Sequence, residues 1–492
     1  MLMKLFNAQQ IRDIDRQTII NQKITSDELM ERAASRLFNT LKISKNKRIQ
    51  IFCGVGNNGG DGLVLARLFH QNGYHINCFI VPFSTKTSTD FDINLHRLMQ
   101  LNINIQILDE NFRQSFTSKD LIIDAIFGTG LSRPAEGVAK QAIKLINQSK
   151  SITYSVDVPS GLFVDKSNNI DDSIVKSDVV YTFQFPKISF FFPENFKYVK
   201  EFACVDIGLD KKVIKQISTN LFLIDSSVKK LLKPRNKFSH KGNFGHALLI
   251  GGSYGKIGAN ILASKAAMKI GAGLVTSYIP RCGYTAFQSS FPEGMVIADK
   301  SNKKITSIDL NFDPDAIGIG QGLGTHSKTV QTFKRFLKRQ KNAMVLDADA
   351  LNILAKKPEY IKFIPEKSIL TPHPREFKRL VGVWKNDEEK IKKILNFSKK
   401  HNIILILKGA YTMISDGKNI YVNNAPNAAL AKAGSGDVLT GILTGLLTQN
   451  YKPVHAALLG VFLHSETAKK FTKKYHDFAM TAKDIIKELG FK

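Results

Sequence analysis

Three polar clusters in the front half of the chain have residue types suited to proton chemistry. They are GVGNNGGDG (residues 54–62), DAIFGTGLSRP (residues 124–134) and DVPSG (residues 157–161). Glycine alone serves a tight turn, by allowing positive φ and close backbone approach. A turn does not need Asn57, Asn58 and Asp61 packed among Gly59, Gly60 and Gly62. Each cluster follows a short apolar run, so each falls at the carboxyl end of a candidate strand. In a parallel sheet those ends converge on one crevice where ligands bind. The clusters are therefore expected to meet in space. A strand-end carboxylate acts as acid or base, and Asp157 is the candidate, with capping of the turn before Pro159 as its alternative. Asp13 and Asp15, nearer the N-terminus, read as helix-surface residues.

The rear half carries NAALAKAGSGDVLTGILTGLL (residues 427–447), small residues and glycines running into an apolar helix that begins near Asp437. The amides of Gly434, Ser435 and Gly436 then stand at the positive end of a helix, which is an anion hole. An aspartate beside such a hole can take the proton of a hydroxyl as it is phosphorylated, and Asp437 is placed to do so. Its alternative is a helix cap. Other strand-end clusters follow in order: KGNFGHALLIGGS (241–253), Gly258-Ala259 on a small-residue helix, GIGQGLG (318–324), TPHPREF (371–377) and KGAYT (408–412). His373, between two prolines at a strand end, reads as held against a ligand. Lys408 ends the apolar run IILIL, where an ammonium is costly unless it meets an anion.

The elements that position these residues alternate between strand-like and helical patterns, which is the mark of α/β architecture with largely parallel sheets. RIQIFCGV, INCFIV, LIIDAIF and ITYSVDV in front, and HALLIGGS, DAIGIGQG, MVLDAD, SILTPHP and IILILKGA behind, are short runs rich in Ile, Val, Leu or Phe and bounded by glycine, proline or polar residues. The helix LVLARLFHQNG is expected to stop at Gly73. The basic segment SSVKKLLKPRNKFSHKGNFG separates the two systems, and the domain boundary is placed at about 222, giving domains 1–221 and 222–492. Length, at 492 residues, exceeds one ordinary core.

Composition narrows the class. At 43% hydrophobic and 23% charged the chain is globular. No run approaches the ~18 apolar residues of a spanning helix, and the N-terminus lacks a secretory pattern, so a cytoplasmic location and no membrane partner are expected. Four cysteines without CxxC spacing read as reduced, mostly buried thiols. The net charge of +28 is spread along the chain, chiefly as lysine, without a polybasic tail, so nucleic acid is not the expected partner. The front glycines match G-x-G-x-x-G in a strand–turn–helix setting, but the next strand ends in Phe83-Ser84-Thr85 with no acid to hold a ribose. An ordinary dehydrogenase is not indicated.

The front motifs resemble those of the NAD(P)H-hydrate epimerases, whose pattern is NNGGDG, then D-x-(FGTG)-x-x-RP, then DxPSG, over roughly residues 1–215. The resemblance implies an N-terminal Rossmann-like three-layer domain. Asn57, Asn58, Gly59, Gly60 and Asp61, the run Gly128, Thr129, Gly130, Leu131, Ser132, Arg133 and Pro134, and Asp157 would contact the hydrated cofactor. Asn58, Asp124 and Ser160 would hold potassium, a hard cation suited to oxygen donors. The implied reaction interconverts the epimers at the hydrated ring carbon, with Asp157 as acid and base.

The rear motifs resemble the ribokinase-like NAD(P)H-hydrate dehydratases over about residues 223–490, with five motifs in order. The resemblance implies a C-terminal ribokinase-like α/β domain. Ala259, Gly324, His373 and Asp437 would face the hydrated nucleotide; Lys408, Gly409, Ala410, Tyr411, Thr412 and Gly436 would hold ADP or ATP. The implied chemistry phosphorylates the ring hydroxyl and expels phosphate, with Asp437 as base and magnesium expected with the phosphates. Two positions depart from the pattern: Arg375 replaces the glycine of TPHPGE, and Gln321 the proline of GPGLG. Hydrated NADH and NADPH are the implied substrates, and a homo-oligomer is expected. The alternatives are a ribokinase-class small-molecule kinase fused to a ligand-binding domain, and a front domain kept as an RNA-binding scaffold.

Overall fold

The computed structural model describes residues 2–490. The chain divides into two compact units, one of Lys4–Thr219 with Asn386–Glu388, the other of Asn220–Lys385 and the chain from Glu389 onward. The strand Leu221–Ile224, within which position 222 falls, pairs with Ile420–Asn423 of the rear sheet.

The front unit is a seven-stranded parallel sheet. Across it lie Asn104–Ile107, His75–Val81, Arg48–Gly54, Asp120–Ala125, Ile152–Val156, Ser177–Phe183 and Val199–Val205. Strand order thus runs outward one way from Arg48–Gly54 and then the other way from Asp120–Ala125, leaving a switch point between these two neighbours. Period-two alternation sends Ile49, Ile51 and Cys53 into a core with helices Ala8–Gln22, Ser26–Thr40 and Asn57–Gln71, and Phe52 to the other face with helix Gly137–Gln148. Three layers result.

The rear sheet follows the same plan. Met295–Asp299, Leu274–Pro280, His246–Ile250, Ala316–Ile319, Val345–Leu346, Ile369–Leu370 and Ile404–Leu407 are parallel neighbours in that order. An antiparallel pair, Met413–Ser415 and Ile420–Asn423, extends one side. Its switch point lies between His246–Ile250 and Ala316–Ile319. The small-residue helix Ile257–Ile270 packs directly on Ser435–Thr448: a Cβ on Gly441 would stand 2.0 Å from the Ala263 carbonyl oxygen. Its small residues thus serve helix–helix approach.

Two local readings change and the Gly73 stop holds. The Asn57–Asp61 segment is the first turn of helix Asn57–Gln71, not a loop before it, because Gly54 and Gly56 make the turn and free the following residues to coil. That helix ends at Gln71, with Gly73 at φ +73° just beyond. Of the four free cysteines Cys53 and Cys78 are buried, but Cys204 is exposed, since it lies on the edge strand Val199–Val205.

Candidate functional sites

The front clusters meet at their switch point around a cavity of about 920 Å³. Two glycines are forced by contact. A Cβ on Gly54 would lie 2.0 Å from the Ile126 carbonyl oxygen, and one on Gly59 would lie 1.6 Å from that of Gly54. The helix is capped by Gly56, which offers no side chain to its first amides, and Gly56, Asn57, Asn58 and Asp61 face the cavity. Gly128 through Pro134 and Asp157 line it too. Gly59 and Gly60 do not line it; they pack behind, against Gly54 and Met30. The paired rings of Phe83 and Phe127 (centroids 4.5 Å apart) add an apolar wall.

Asp157 sits at φ +64°, a left-handed conformation that re-aims the strand end. Its Oδ1 accepts from Lys187 Nζ at 2.7 Å, Phe183 N at 3.0 Å and Thr182 Oγ1 at 3.2 Å. Lys187 is buried, its side chain 1% exposed, and also donates to Thr182 Oγ1 and the Phe185 carbonyl. Lys187 was not among the expected residues. The signal was present: a lysine inside the apolar run FQFPKISFFF is as anomalous as Lys408 after IILIL.

Asp15 is a correction. It is not a helix-surface residue but lines the cavity with Arg12 and Ile11, because helix Ala8–Gln22 lays that side against the sheet end. Burial, then the neighbouring Asp157 charge, raise its carboxyl to about 7, Lys187 opposing. Asp61 is also pushed well above the carboxylate range, by burial and then by Asp157, Asp15 and Asp90.

Asp124 and Ser160 are joined beneath the cavity. Ser160 Oγ donates to Asp124 Oδ1, while Ser160 N and Ser155 Oγ each donate to Oδ2 at 2.8 Å. Burial raises the Asp124 carboxyl, and these donors counter it. Ser160 Oγ also accepts from Phe127 N at 2.8 Å. Asn58 adjoins the next residue: a Cβ on Gly128 would stand 3.2 Å from its side chain, and its buried Nδ2 has no partner. The oxygens of Asp124 and Ser160 and the side-chain carbonyl of Asn58 beside Gly128 are donors of the kind a hard monovalent cation takes.

The rear site is built on the same plan. The strand Val345–Leu346 delivers Asp347, whose Oδ1 accepts from Lys408 Nζ at 2.8 Å and Thr371 Oγ1 at 2.8 Å, and whose Oδ2 accepts from Thr440 Oγ1 at 2.9 Å. The next residue, Ala348, has φ +47°. Burial opposes the Lys408 charge, but Asp347 and Glu376 outweigh it and hold the ammonium above its usual range. Gly436 abuts this pair, since a Cβ there would come 3.4 Å from Lys408 Nζ and 3.7 Å from Asp347 Oδ2. Helix Ser435–Thr448 starts after Gly434, at φ +87°, with no side-chain cap. Asp437 therefore does not cap it. Burial, then Asp347, raise the Asp437 carboxyl to about 7, against Lys408.

The remaining rear residues fall around this centre. Gly324 N donates to Asp349 Oδ2 at 2.8 Å, and Ala259 adjoins Gly322. Lys408–Thr412 is the turn leading from Ile404–Leu407 into Met413–Ser415, with Gly409 and Ala410 exposed and Thr412 Oγ1 bonded to the Gly409 carbonyl. His373 caps helix Pro374–Val381: its Nδ1 accepts from Arg375 N at 3.1 Å and Glu376 N at 3.4 Å, leaving Nε2 beside Glu376. Burial, then Lys408 and Arg379, lower its pKa. Arg375 occupies the first turn of that helix without breaking it. Gln321 is wholly buried and neither its Nε2 nor its Oε1 has a partner. His464, pushed to about 4 by burial, lies with Nε2 3.0 Å from the Ser435 carbonyl and steadies the glycine turn. Asp347 and His464 were not anticipated. Asp347 could have been found by the rule applied in front, that a carboxylate ending a strand belongs to the crevice.

Two α/β units, each with a lysine-bound aspartate and a second carboxyl raised to about 7 at the carboxyl end of its sheet, define a two-site enzyme of the α/β class. A family model described as NAD(P)H-hydrate dehydratase matches residues 247–490, and one described as YjeF-related protein N-terminus matches 26–189. The chain is 34% identical to a bifunctional NAD(P)H-hydrate repair enzyme of Moorella thermoacetica, over 99% of this chain and 96% of the relative. It is 32% identical to the one of Dictyoglomus turgidum, over 99% and 98%. A solved ADP/ATP-dependent NAD(P)H-hydrate dehydratase from Bacillus subtilis is 29% identical over 53% of this chain and 93% of its own, with a TM-score of 0.48. The chain belongs to the family of bifunctional NAD(P)H-hydrate repair enzymes.

Proposed function

We propose that this chain repairs hydrated NADH and NADPH, exchanging the two epimers in the front cavity and dehydrating one of them at the rear site with a nucleotide phosphoryl donor. The observation that carries the reading is an arrangement repeated at the carboxyl ends of the two sheets: Asp157 on Lys187 at 2.7 Å in front, Asp347 on Lys408 at 2.8 Å behind. Water adds to either face of the nicotinamide ring, so a stereospecific dehydratase needs an epimerase beside it.

In the front cavity, the uncapped first turn of helix Asn57–Gln71 and the Gly128–Pro134 segment bind the nucleotide, and Asp157 handles the proton. Asn58, Asp124 and Ser160 supply the oxygens for potassium, which would fix the Phe127–Gly128 turn against the helix start.

At the rear, Ala259, Gly324 and His373 orient the hydrate, with His373 offering only Nε2 because Nδ1 serves the helix. The Gly434–Gly436 amides, Lys408 and the Gly409–Thr412 turn receive the phosphates of ADP or ATP. Asp437 takes the proton of the ring hydroxyl as its oxygen bonds to the terminal phosphorus and the phosphoanhydride bond breaks. The ring nitrogen then expels phosphate, and loss of the neighbouring ring proton restores the double bond. Among the described residues no three His, Cys, Asp or Glu side chains gather as a cation cage, so magnesium would arrive on the nucleotide phosphates and neutralise their charge.

No helix among the described residues is long and apolar enough to cross a membrane. A cytoplasmic setting and a homo-oligomeric assembly complete the reading; light scattering tests the second. The decisive assay uses acid-treated NADH that has lost its near-ultraviolet absorbance. Absorbance is expected to return on adding the protein with ADP or with ATP, run side by side. No return with either, from folded protein, would overturn the reading.

A further inference from the structure

We propose that Asp15 is a second catalytic residue of the front site, the general acid that protonates the departing hydroxyl while Asp157, held by Lys187, faces the ring cation. The inference rests on the epimerase reading above and deepens it. Three observations support it. Asp15 and Asp157 come from different elements, the helix Ala8–Gln22 and the end of strand Ile152–Val156, yet line one cavity. Asp157 has three donors on one oxygen, among them the buried ammonium, whereas the Asp15 carboxyl makes no hydrogen bond among the described residues. The buried, partnerless Nδ2 of Asn58 in the same wall shows that the cavity is built for a ligand.

The charges around Asp15 support the division of roles. Asp157 faces it and disfavours a further negative charge, and Lys187 opposes; Asp61, driven toward its neutral form by burial, lines the same cavity. Arg12 lies on its own helix, and Glu110, Arg133 and Glu136 are the other charged groups around the cavity. With its pKa at about 7, Asp15 carries a proton in a large share of molecules in neutral solution and gives it up readily. One neutral and one charged carboxyl on the same substrate is how paired acids divide acid and base work.

The step balances as follows. The ring nitrogen's lone pair forms a C=N bond as the C–O bond at the hydrated carbon breaks. The departing oxygen takes the Asp15 proton and leaves as water. A water molecule adds to the other face of the cation, forming the new C–O bond, and its surplus proton passes to Asp157. For the opposite epimer the carboxyls exchange roles, and between turnovers the proton returns to Asp15 through cavity water. No oxidant or metal is consumed, and one oxygen atom is exchanged with solvent for each inversion.

The test uses the full chain, with epimer exchange followed by chromatography in oxygen-18 water. Asp15→Asn keeps the shape but has no acidic proton. It is expected to lower kcat for exchange about 100-fold with KM changed little, to remove the fall in rate above about pH 7, and to leave rear-site dehydration at the wild-type rate, while the unchanged KM for exchange reports that the front unit is folded. Asp15→Glu is expected to recover part of the rate, and wild-type exchange to carry label into the product. Exchange by Asp15→Asn within threefold of wild type, or inversion by the wild type without label, would overturn the inference alone. Absence of exchange by the wild type would bring down the epimerase reading beneath it.

Discussion

The two sheet ends that hold the sites of this chain solve one problem twice and end with different solvent access. In front, the lysine that holds the strand-end aspartate is sealed, its side chain 1% exposed; behind, the corresponding Lys408 is 23% exposed and borders a glycine turn with uncapped amides. A sealed ammonium can only fix the charge and orientation of its aspartate. One open to an anion hole can also meet an arriving phosphate. The front site is therefore suited to moving protons on a ring, and the rear site to transferring a phosphoryl group. The second carboxyl follows suit: both Asp15 and Asp437 are raised to about 7 by burial and then by a neighbouring aspartate, but one is to donate a proton and the other to accept it.

The largest expected effect would break this division outright. Asp437→Ala is expected to lower dehydration about 10³-fold or more while leaving epimer exchange intact, and Asp157→Ala to do the reverse. Parallel assays of both activities check it, and loss of both from one substitution would mean that the sites are not separate.

Next come the lysines. Lys187→Met strands the buried Asp157 charge and is expected to cost about 3 kcal/mol of stability. Lys408→Met also strands a buried carboxylate, but at a lysine 23% exposed, where water can enter, so it is expected to cost less, about 2 kcal/mol, and to raise KM for the nucleotide. Denaturant titration with rate measurements separates the two; equal losses would erase the contrast in burial.

The pH profiles sharpen it further. Asp437 works as a base, so dehydration is expected to rise with pH through about 7, where its carboxyl ionises. Asp15 works as an acid, so epimer exchange is expected to fall through the same range. Rates from pH 5 to 9 on one preparation would show limbs of opposite slope.

The smallest effect concerns Gln321, whose amide is buried without partners between the rear glycines. Gln321→Leu is expected to stabilise the chain by about 1 kcal/mol, measured as a rise in the denaturation midpoint, whereas the buried Asn58 amide in front lines the cavity and has a site to serve.

Much of this was legible in the chain. The apolar runs, the glycine clusters after them and the order of motifs define parallel sheets and strand-end sites, because period-two burial and close backbone approach leave local marks. Gly54, Asn58, Asp124, Asp157, Gly436 and Asp437 stand in such runs; of these Asn58 and Asp157 line the front cavity, Asp124 bonds Ser160 beneath it, and Gly436 and Asp437 open the rear helix. The exposure of Cys204 could not be read, because edge position depends on strand order.

What tertiary structure alone decided is who meets whom. The local pattern around Asp15 is that of an ordinary helix surface; only the packing of Ala8–Gln22 over the sheet end sets it, half-buried, in the cavity that Asp157 lines. Lys187 comes 30 residues after Asp157, and Lys408 61 residues after Asp347, so neither pairing has a sequence spacing to betray it. Charge and hydrogen-bond energies depend on distance and on the water excluded around them, and both are set by the fold. Residue type and local spacing specify the elements and their turns; burial and proximity, which exist only once the sheets have closed, assign the protons.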